Sequence, residues 1–204
     1  QGAASGTVVL AEEQTAGQGR FGRRWHSEPE SGLYLSIVLR LPLNVSELPL
    51  VTLALGLATV EAVALACGVE CDLRWPNDVM AGSRKCAGIL VQTCEDALIA
   101  GIGINVNQEG FPDELSTIAT SLRLASGRVH ARELLFVALV ESIERLANLL
   151  VQSGPHAILD RFSRASSYVQ GRRVVVEQSG RRITGLTDGL DSSGFLILRK
   201  EDGG

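Results

Sequence analysis

The sequence predicts an α+β protein: a β-sheet backed by helices, followed by a small all-β unit. Three observations point there. Residues 7–12, 33–41, 86–93 and 97–106 are runs of β-branched and apolar side chains of strand length. Residues 48–67 and 131–152 are long, Leu/Ala/Val-rich stretches of helix length. From Gly171 onward the chain turns to short strand-like runs broken by turn residues.

Taken in order, T-V-V-L-A-E at residues 7–12 reads as a buried strand feeding a Gly/Arg-rich loop. The strand at 33–41 ends at Pro42. The helix at 48–67 has Ser46 as its expected N-cap and is stopped by Gly68. A short strand at 72–75 ends at Pro76, and residues 79–81 open a hairpin that turns at Gly82-Ser83 and returns through 86–93. The strand at 97–106 carries Gly101 and Gly103 inside it. Glycine weakens a strand unless something approaches the backbone closely, so these two and Gly88 suggest a ligand lying against the sheet. Residues 107–128 read as loop with short helical turns. Apolar residues at helical spacing (Leu134, Leu135, Ala138, Leu139, Ile143, Leu146, Leu149, Leu150) then mark the helix at 131–152, which Gly154-Pro155 break before a shorter one at 156–166. The last strands fall at 172–178, 182–187 and 195–199, with turns at Ser179-Gly180 and 188–194, as a small barrel or sheet. The boundary lies near residues 169–171, dividing the chain into units 1–168 and 169–204.

The chain has 204 residues, 45% of them apolar, and a net charge of −4. That charge argues against a broad nucleic-acid footprint, so any polyanion must be gripped locally. Cys67, Cys71, Cys86 and Cys94 have no C-x-x-C spacing, and none of the three histidines lies near them in sequence. Free thiols in a reducing, cytoplasmic setting are expected rather than zinc. No signal-peptide pattern is visible. The apolar stretch 48–67 includes Glu61 and two threonines and reads as a core helix, not a membrane span. Both ends, Q-G-A-A-S-G and the turn-like E-D-G-G, read as truncated elements.

Four stretches carry chemistry. The first is Q-T-A-G-Q-G-R-F-G-R-R-W at residues 14–25, with Gly17, Gly19 and Gly22 beside Arg20, Arg23 and Arg24 and no acid between Glu13 and Glu28. Glycine lets backbone N–H groups approach a ligand, arginine grips phosphate or carboxylate, and Trp25 could stack on a base. The second is R-W-P-N-D, in which Pro76 fixes a turn that presents Arg74, Asn77 and Asp78. The third is R-K-C-A-G-I-L, where Lys85 opens a strand three residues before Gly88. The fourth is G-I-G-I-N-V-N, whose Asn105 and Asn107 share a strand face and offer amides able to donate and accept. Taken singly, each also reads as an ordinary turn, an exposed lysine or a strand end.

In this order, the four motifs closely resemble the catalytic domain of the biotin protein ligases, over residues 7–107, with later helices and a C-terminal β unit where that family has them. The resemblance implies a class II synthetase-like mixed β-sheet backed by helices, followed by a small SH3-like barrel. It implies a ligase that makes biotinoyl-5′-AMP from biotin and ATP with Mg²⁺, then transfers biotin to a lysine of a biotin carboxyl carrier protein, an acetyl-CoA carboxylase subunit. By resemblance, Gln14, Gly17, Gln18, Gly19, Arg20, Lys85 and Gly88 contact biotin. Arg20, Arg23, Trp25, Arg74, Asn77, Lys85 and Asn105 contact ATP, with Trp25 against adenine and Asn105 bonded to it. Lys85, Arg20 and Asp78 serve catalysis, and Asp78 holds Mg²⁺. The glycine-rich loop is expected to be a lid, mobile until ligand arrives.

Two departures matter. Gln18 stands where the family commonly has arginine, and a family Ser/Thr segment that bonds the biotin ureido ring precedes the first strand and is not in this sequence. A protein without that segment is expected to bind biotin poorly. Competing readings are a lipoate or octanoate ligase or transferase of the same superfamily, a ligase–repressor with a DNA-binding module outside these residues, and a non-catalytic binding domain. No membrane or nucleic-acid partner is expected from this chain, and a homodimer is left open.

Overall fold

The computed structural model describes residues 2–178 and 181–200. Among these, six strands form one sheet in the order β1-β2-β6-β5-β4-β3 and three form another, β7-β8-β9. The large sheet comprises β1 (Val8–Ala11), β2 (Gly32–Leu39), β3 (Asp72–Arg74), β4 (Asp78–Ala81), β5 (Arg84–Cys94) and β6 (Ala97–Asn105). Its named strands pair antiparallel, and parallel character enters only where Lys85 bridges Ala119. The expected mixed sheet is therefore mixed by that single bridge.

The helix α1 (Leu48–Cys67) lies on one face of this sheet and is itself covered by α4 (Arg132–Ser153) and α5 (Pro155–Ala165). It is as long and apolar as a membrane span, yet most of it is core: Leu50, Leu53, Ala58, Ala62 and Val63 are almost fully buried. Glu61 is kept at its rim by Arg145 of α4 (2.7 Å). Gly68 ends the helix in the left-handed conformation, as glycine allows. Ser46 is not the N-cap. A 3₁₀ turn (Val45–Glu47) precedes the helix, Glu47 occupies the cap position, and its carboxylate accepts from Asn44 N (2.7 Å).

Alternation along the strands gives the sheet two faces. Leu33, Leu35 and Ile37 of β2 line up with Ile104, Ile102 and Ala100 of β6, on the core side. On the other side one cross-strand row reads Tyr34, Gly103, Gly88, Asp78, and the next row pairs Ser36, Gly101 and Leu90. The adjacent glycines leave a trough in the middle of that face. The first strand departs from expectation: β1 pairs only with β2, at the sheet edge, so Val9 and Leu10 are 63% and 50% exposed rather than buried.

Short helices α2 (Asp113–Ser116) and α3 (Leu122–Ser126) fill the stretch after β6. Asn107 fastens the chain beyond them, donating to His130 O and accepting from His130 N (both 2.9 Å). Ser166 donates to Leu73 O and Asp72 accepts from Ser167, tying the end of α5 to β3. The C-terminal sheet of β7 (Gln170–Gln178), β8 (Arg181–Leu190) and β9 (Leu196–Lys200) docks where Trp75 Nε1 donates to Gly194 O (2.9 Å). The expected turns at Ser179-Gly180 and 201–204 fall outside the described residues.

Candidate active site

The Gly/Arg loop folds as a narrow hairpin over the open face of the sheet. Trp25 N donates to Gly17 O (2.9 Å) and Gly19 N to Arg23 O (2.7 Å). Gly17 is required by this closeness: a Cβ there would stand 2.8 Å from Gln14 Oε1 and 3.0 Å from the Trp25 carbonyl oxygen. The tip turns at Phe21 and Gly22, both with positive φ, and Phe21 is 86% exposed. Arg20 leaves the tip for the sheet, where it donates to Asn77 Oδ1 (3.3 Å).

Two chambers lie beneath and beside this hairpin. The first, about 420 Å³, is lined by Gln14, Gly17, Gln18, Gly19, Arg20, Lys85 and Gly88, together with Ser36, Gln92, Gly101 and Gly103. The second, about 370 Å³, is lined by Arg20, Arg23, Trp25, Arg74, Asn77, Asp78, Lys85 and Asn105, together with His26, Phe111 and Ile118. The residues expected to contact biotin therefore all border the first chamber, and those expected to contact ATP all border the second. Gly19, Arg20, Trp25, Asn77 and Lys85 border both, so the chambers meet where the two cations stand.

A backbone irregularity aims the lysine. On a regular strand Lys85 and Gly88, three apart, point to opposite faces. In β5, however, Val79 pairs with Ala87 and Met80 with Lys85, leaving Cys86 as an extra residue. This bulge resets the alternation. Cys86 and Ala87 both enter the core, and Lys85 Nζ comes within 2.9 Å of where a Gly88 Cβ would stand. Lys85 is further held by its backbone, which donates to Ile118 O (2.8 Å) and accepts from Thr120 N (2.9 Å).

Asp78 sits across from it. Its Oδ1 is 2.5 Å from Lys85 Nζ and its Oδ2 is 2.6 Å from Arg74 Nη2. Both carboxylate oxygens are thus engaged by cations, and among the described residues no group of three His, Cys, Asp or Glu side chains converges. A divalent ion on Asp78 would have to displace one of these cations from its carboxylate. Asp78 fixes the positions of Lys85 and Arg74.

Trp25 covers the trough. A Cβ on Gly103 would stand 2.6 Å from its indole, and one on Gly88 3.0 Å from it. The ring forms the partition between the chambers rather than belonging to the second alone, and its buried Nε1 has no partner among the described residues. Lys85 Nζ lies 5.3 Å from the ring centroid, within cation–π range. Asn105, 4% exposed, donates to Thr120 O (3.1 Å), while its Oδ1 has no partner among the described residues. Its Oδ1 can therefore accept from a ligand, and the second N–H of the amide is a further donor. Asn107, locked to His130, takes no part in either chamber.

Sequence reasoning did not find Phe111, Ile118, His26, Ser36 or Gln92. Ser36 follows from its register with Gly101, and Gln92 from its alternation with Gly88 along β5. Phe111 and Ile118 come from an irregular stretch where no periodicity betrays them. Near the same chamber Tyr34, almost fully buried, accepts from Glu28 N (3.1 Å) and Gln108 Nε2 (2.9 Å) and bolts the start of β2 to the flanking loops. Burial pushes its hydroxyl above the ordinary tyrosine range.

Comparison with known proteins agrees with this geometry. Residues 1–109 match the model of the biotin/lipoate A/B protein ligase family, and residues 170–203 match the biotin protein ligase C-terminal domain. The bifunctional ligase/repressor BirA of Bacillus spizizenii is 46% identical over 132 residues, which are 61% of this chain and 41% of that protein. The biotin–[acetyl-CoA-carboxylase] ligase of Mycobacterium tuberculosis is 34% identical over 95% of this chain and 73% of its own length. Thus the chain aligns with less than half the length of the Bacillus relative and most of the mycobacterial one. The biotin protein ligase from Aquifex aeolicus, solved in complex with biotin and ATP, superposes with a TM-score of 0.90 at 32% identity, covering 100% of this chain and 86% of that one. With an open sheet face carrying two joined chambers, these matches show that the chain belongs to the biotin/lipoate A/B protein ligase family and, within it, to the biotin protein ligases.

Proposed function

We propose that this protein activates biotin with ATP to biotinoyl-5′-AMP and transfers the biotinoyl group to a lysine of a biotin carboxyl carrier protein of acetyl-CoA carboxylase. The observation that carries the reading is the meeting of two chambers at Lys85 and Arg20. Adenylation requires a carboxylate oxygen to attack the α-phosphorus while pyrophosphate leaves, and the two reactants repel each other. Two cations at the junction offset that repulsion and stabilise the charge that builds on the phosphoryl oxygens. Holding the partners in adjoining chambers supplies the proximity. The carrier's lysine amine then attacks the acyl carbon, and AMP departs.

The first chamber suits biotin by its polar side chains. Gln14, Ser36 and Gln92 line it, and they offer amide and hydroxyl partners for a ureido ring that lipoate and octanoate do not possess. The second suits a nucleotide: Arg23 and Arg74 for phosphates, Phe111 and Ile118 for a base, and the unpaired Asn105 Oδ1 for the exocyclic amine of adenine. The hairpin of residues 14–25 acts as the lid that keeps water from the mixed anhydride. Magnesium is assigned to the triphosphate as its counter-ion and to no side chain of this protein.

The test is direct. The full-length protein is incubated with ATP, Mg²⁺, biotin and a carboxyl-carrier domain, and the carrier is weighed by mass spectrometry. A single biotin adduct on the carrier lysine is expected. No adduct, or preferential loading of lipoate when both acids are supplied, contradicts the reading.

A further inference from the structure

Directly behind Lys85 the structure holds a second pair of reactive groups. Cys86, the extra residue of the β5 bulge, is fully buried, and its Sγ lies 3.8 Å from Sγ of Cys71, with which it shares a hydrogen bond. Cys86 Sγ also reaches Val79 O across the bulge (3.5 Å). Cys71, in the segment between α1 and β3, is only partly buried. Cys71 is thus the less buried of the two, and Cys86 is the residue on which the aim of Lys85 depends.

We propose that Cys71 and Cys86 form a reversible disulfide and that this bond switches the active site off by displacing the bulge that carries Lys85. A disulfide needs sulfurs about 2.05 Å apart. Starting from 3.8 Å they must close by roughly 1.8 Å. Cys86 is wedged in the core, so its side of that movement passes into the backbone of β5. The neighbouring peptide is that of Lys85, whose Nζ is set against Asp78 within hydrogen-bond distance. A misplacement of about 1 Å at reacting groups can lower a rate about a hundred-fold.

The chemistry balances with a small-molecule disulfide, such as oxidised glutathione, as oxidant. The Cys71 thiolate attacks one of its sulfurs, the small S–S bond breaks, and one thiolate leaves. Cys86, losing its proton, then attacks Cys71 Sγ and expels the second thiolate. Two protein thiols become one disulfide, and one small disulfide becomes two thiols, which take up the two protons. The hydrogen bond with Cys71 and burial hold the Cys86 thiol well above its ordinary range. Cys71 therefore reacts first, and Cys86 resolves it.

The activity arm of this proposal rests on the adenylation reading; the bond itself does not. The protein is treated with oxidised glutathione, alkylated, digested without reduction and mapped by mass spectrometry. Biotin-dependent pyrophosphate exchange is measured before oxidation, after it, and after dithiothreitol. We expect a Cys71–Cys86 cross-linked peptide, exchange lowered at least about tenfold, and recovery on reduction. Cys71→Ser keeps wild-type exchange and resists inactivation. A cross-link joining Cys67 to Cys71, glutathione on Cys94 alone, or a Cys71–Cys86 bond that leaves exchange unchanged overturns the proposal. If the reduced protein shows no exchange at all, the adenylation reading fails, and the disulfide still stands or falls on the peptide map.

Discussion

Replacing Lys85 with alanine is expected to lower biotin-dependent pyrophosphate exchange about a thousand-fold, by analogy with the loss of one preorganised donor to a developing anion. The ammonium stands at the junction of the two chambers, where Arg20 alone would remain to meet both the carboxylate and the α-phosphate. Its pairing with Asp78 presets its position, so the stabilisation is available without reorganisation in the transition state. The fold should survive. The side chain is 28% exposed, Asp78 keeps Arg74, and the loss of a partly exposed ion pair costs about 1 kcal/mol, or a fall in Tm of roughly 2–4 °C. Circular dichroism melts alongside the exchange assay check both halves. Lys85→Ala exchange close to that of the unaltered protein would remove the lysine from the chemistry.

Gly103→Val should have the second-largest effect, for a steric reason. Any Cβ at this position meets the Trp25 indole at 2.6 Å, closer than carbon atoms approach, and valine adds two methyl groups beyond it. The ring must leave the trough, which opens the partition and crowds the first chamber. Overpacking of this kind costs about 1–3 kcal/mol. Because ligand and ring share the space, KM for biotin should rise by about five- to about 150-fold, the same range expressed as affinity. Gly101→Ala is the comparator for stability, since its Cβ would come no closer than 3.7 Å to Leu90 O. Equal melting temperatures for Gly103→Val and Gly101→Ala would contradict the packing of Trp25.

The order of strands and helices was legible because each element carries its own signal. Strand runs, a helix stopped by Gly68 and the Gly154-Pro155 break act locally. The candidate site was legible because its ligand-facing residues cluster in four short stretches, with glycines marking close approach. What stayed hidden depends on partners distant in sequence. The bulge at Cys86 appears only when β4 is laid beside β5, so nothing local says that Lys85 and Gly88 share a face. Asp78 reads as a metal ligand by type, and only the positions of Arg74 and Lys85 show that its oxygens are taken. Trp25 reads as a base-stacking ring until Gly103 and Gly88 turn out to lie beneath it. The exposure of β1 follows from its place at the sheet edge, and a β-rich run does not announce that it has one neighbour.

These features converge on one claim: the acid and the nucleotide occupy separate chambers and react at the cations between them. A crystal structure of the protein with biotinoyl-5′-AMP tests it most directly. The account predicts the bicyclic ring beside Gln14, Ser36 and Gly101, the adenine beside Asn105 and Phe111, and the acyl phosphate within hydrogen-bond distance of Lys85 Nζ and Arg20. A bound adenylate with both ends in one chamber, or with its acyl phosphate out of reach of Lys85, would contradict it.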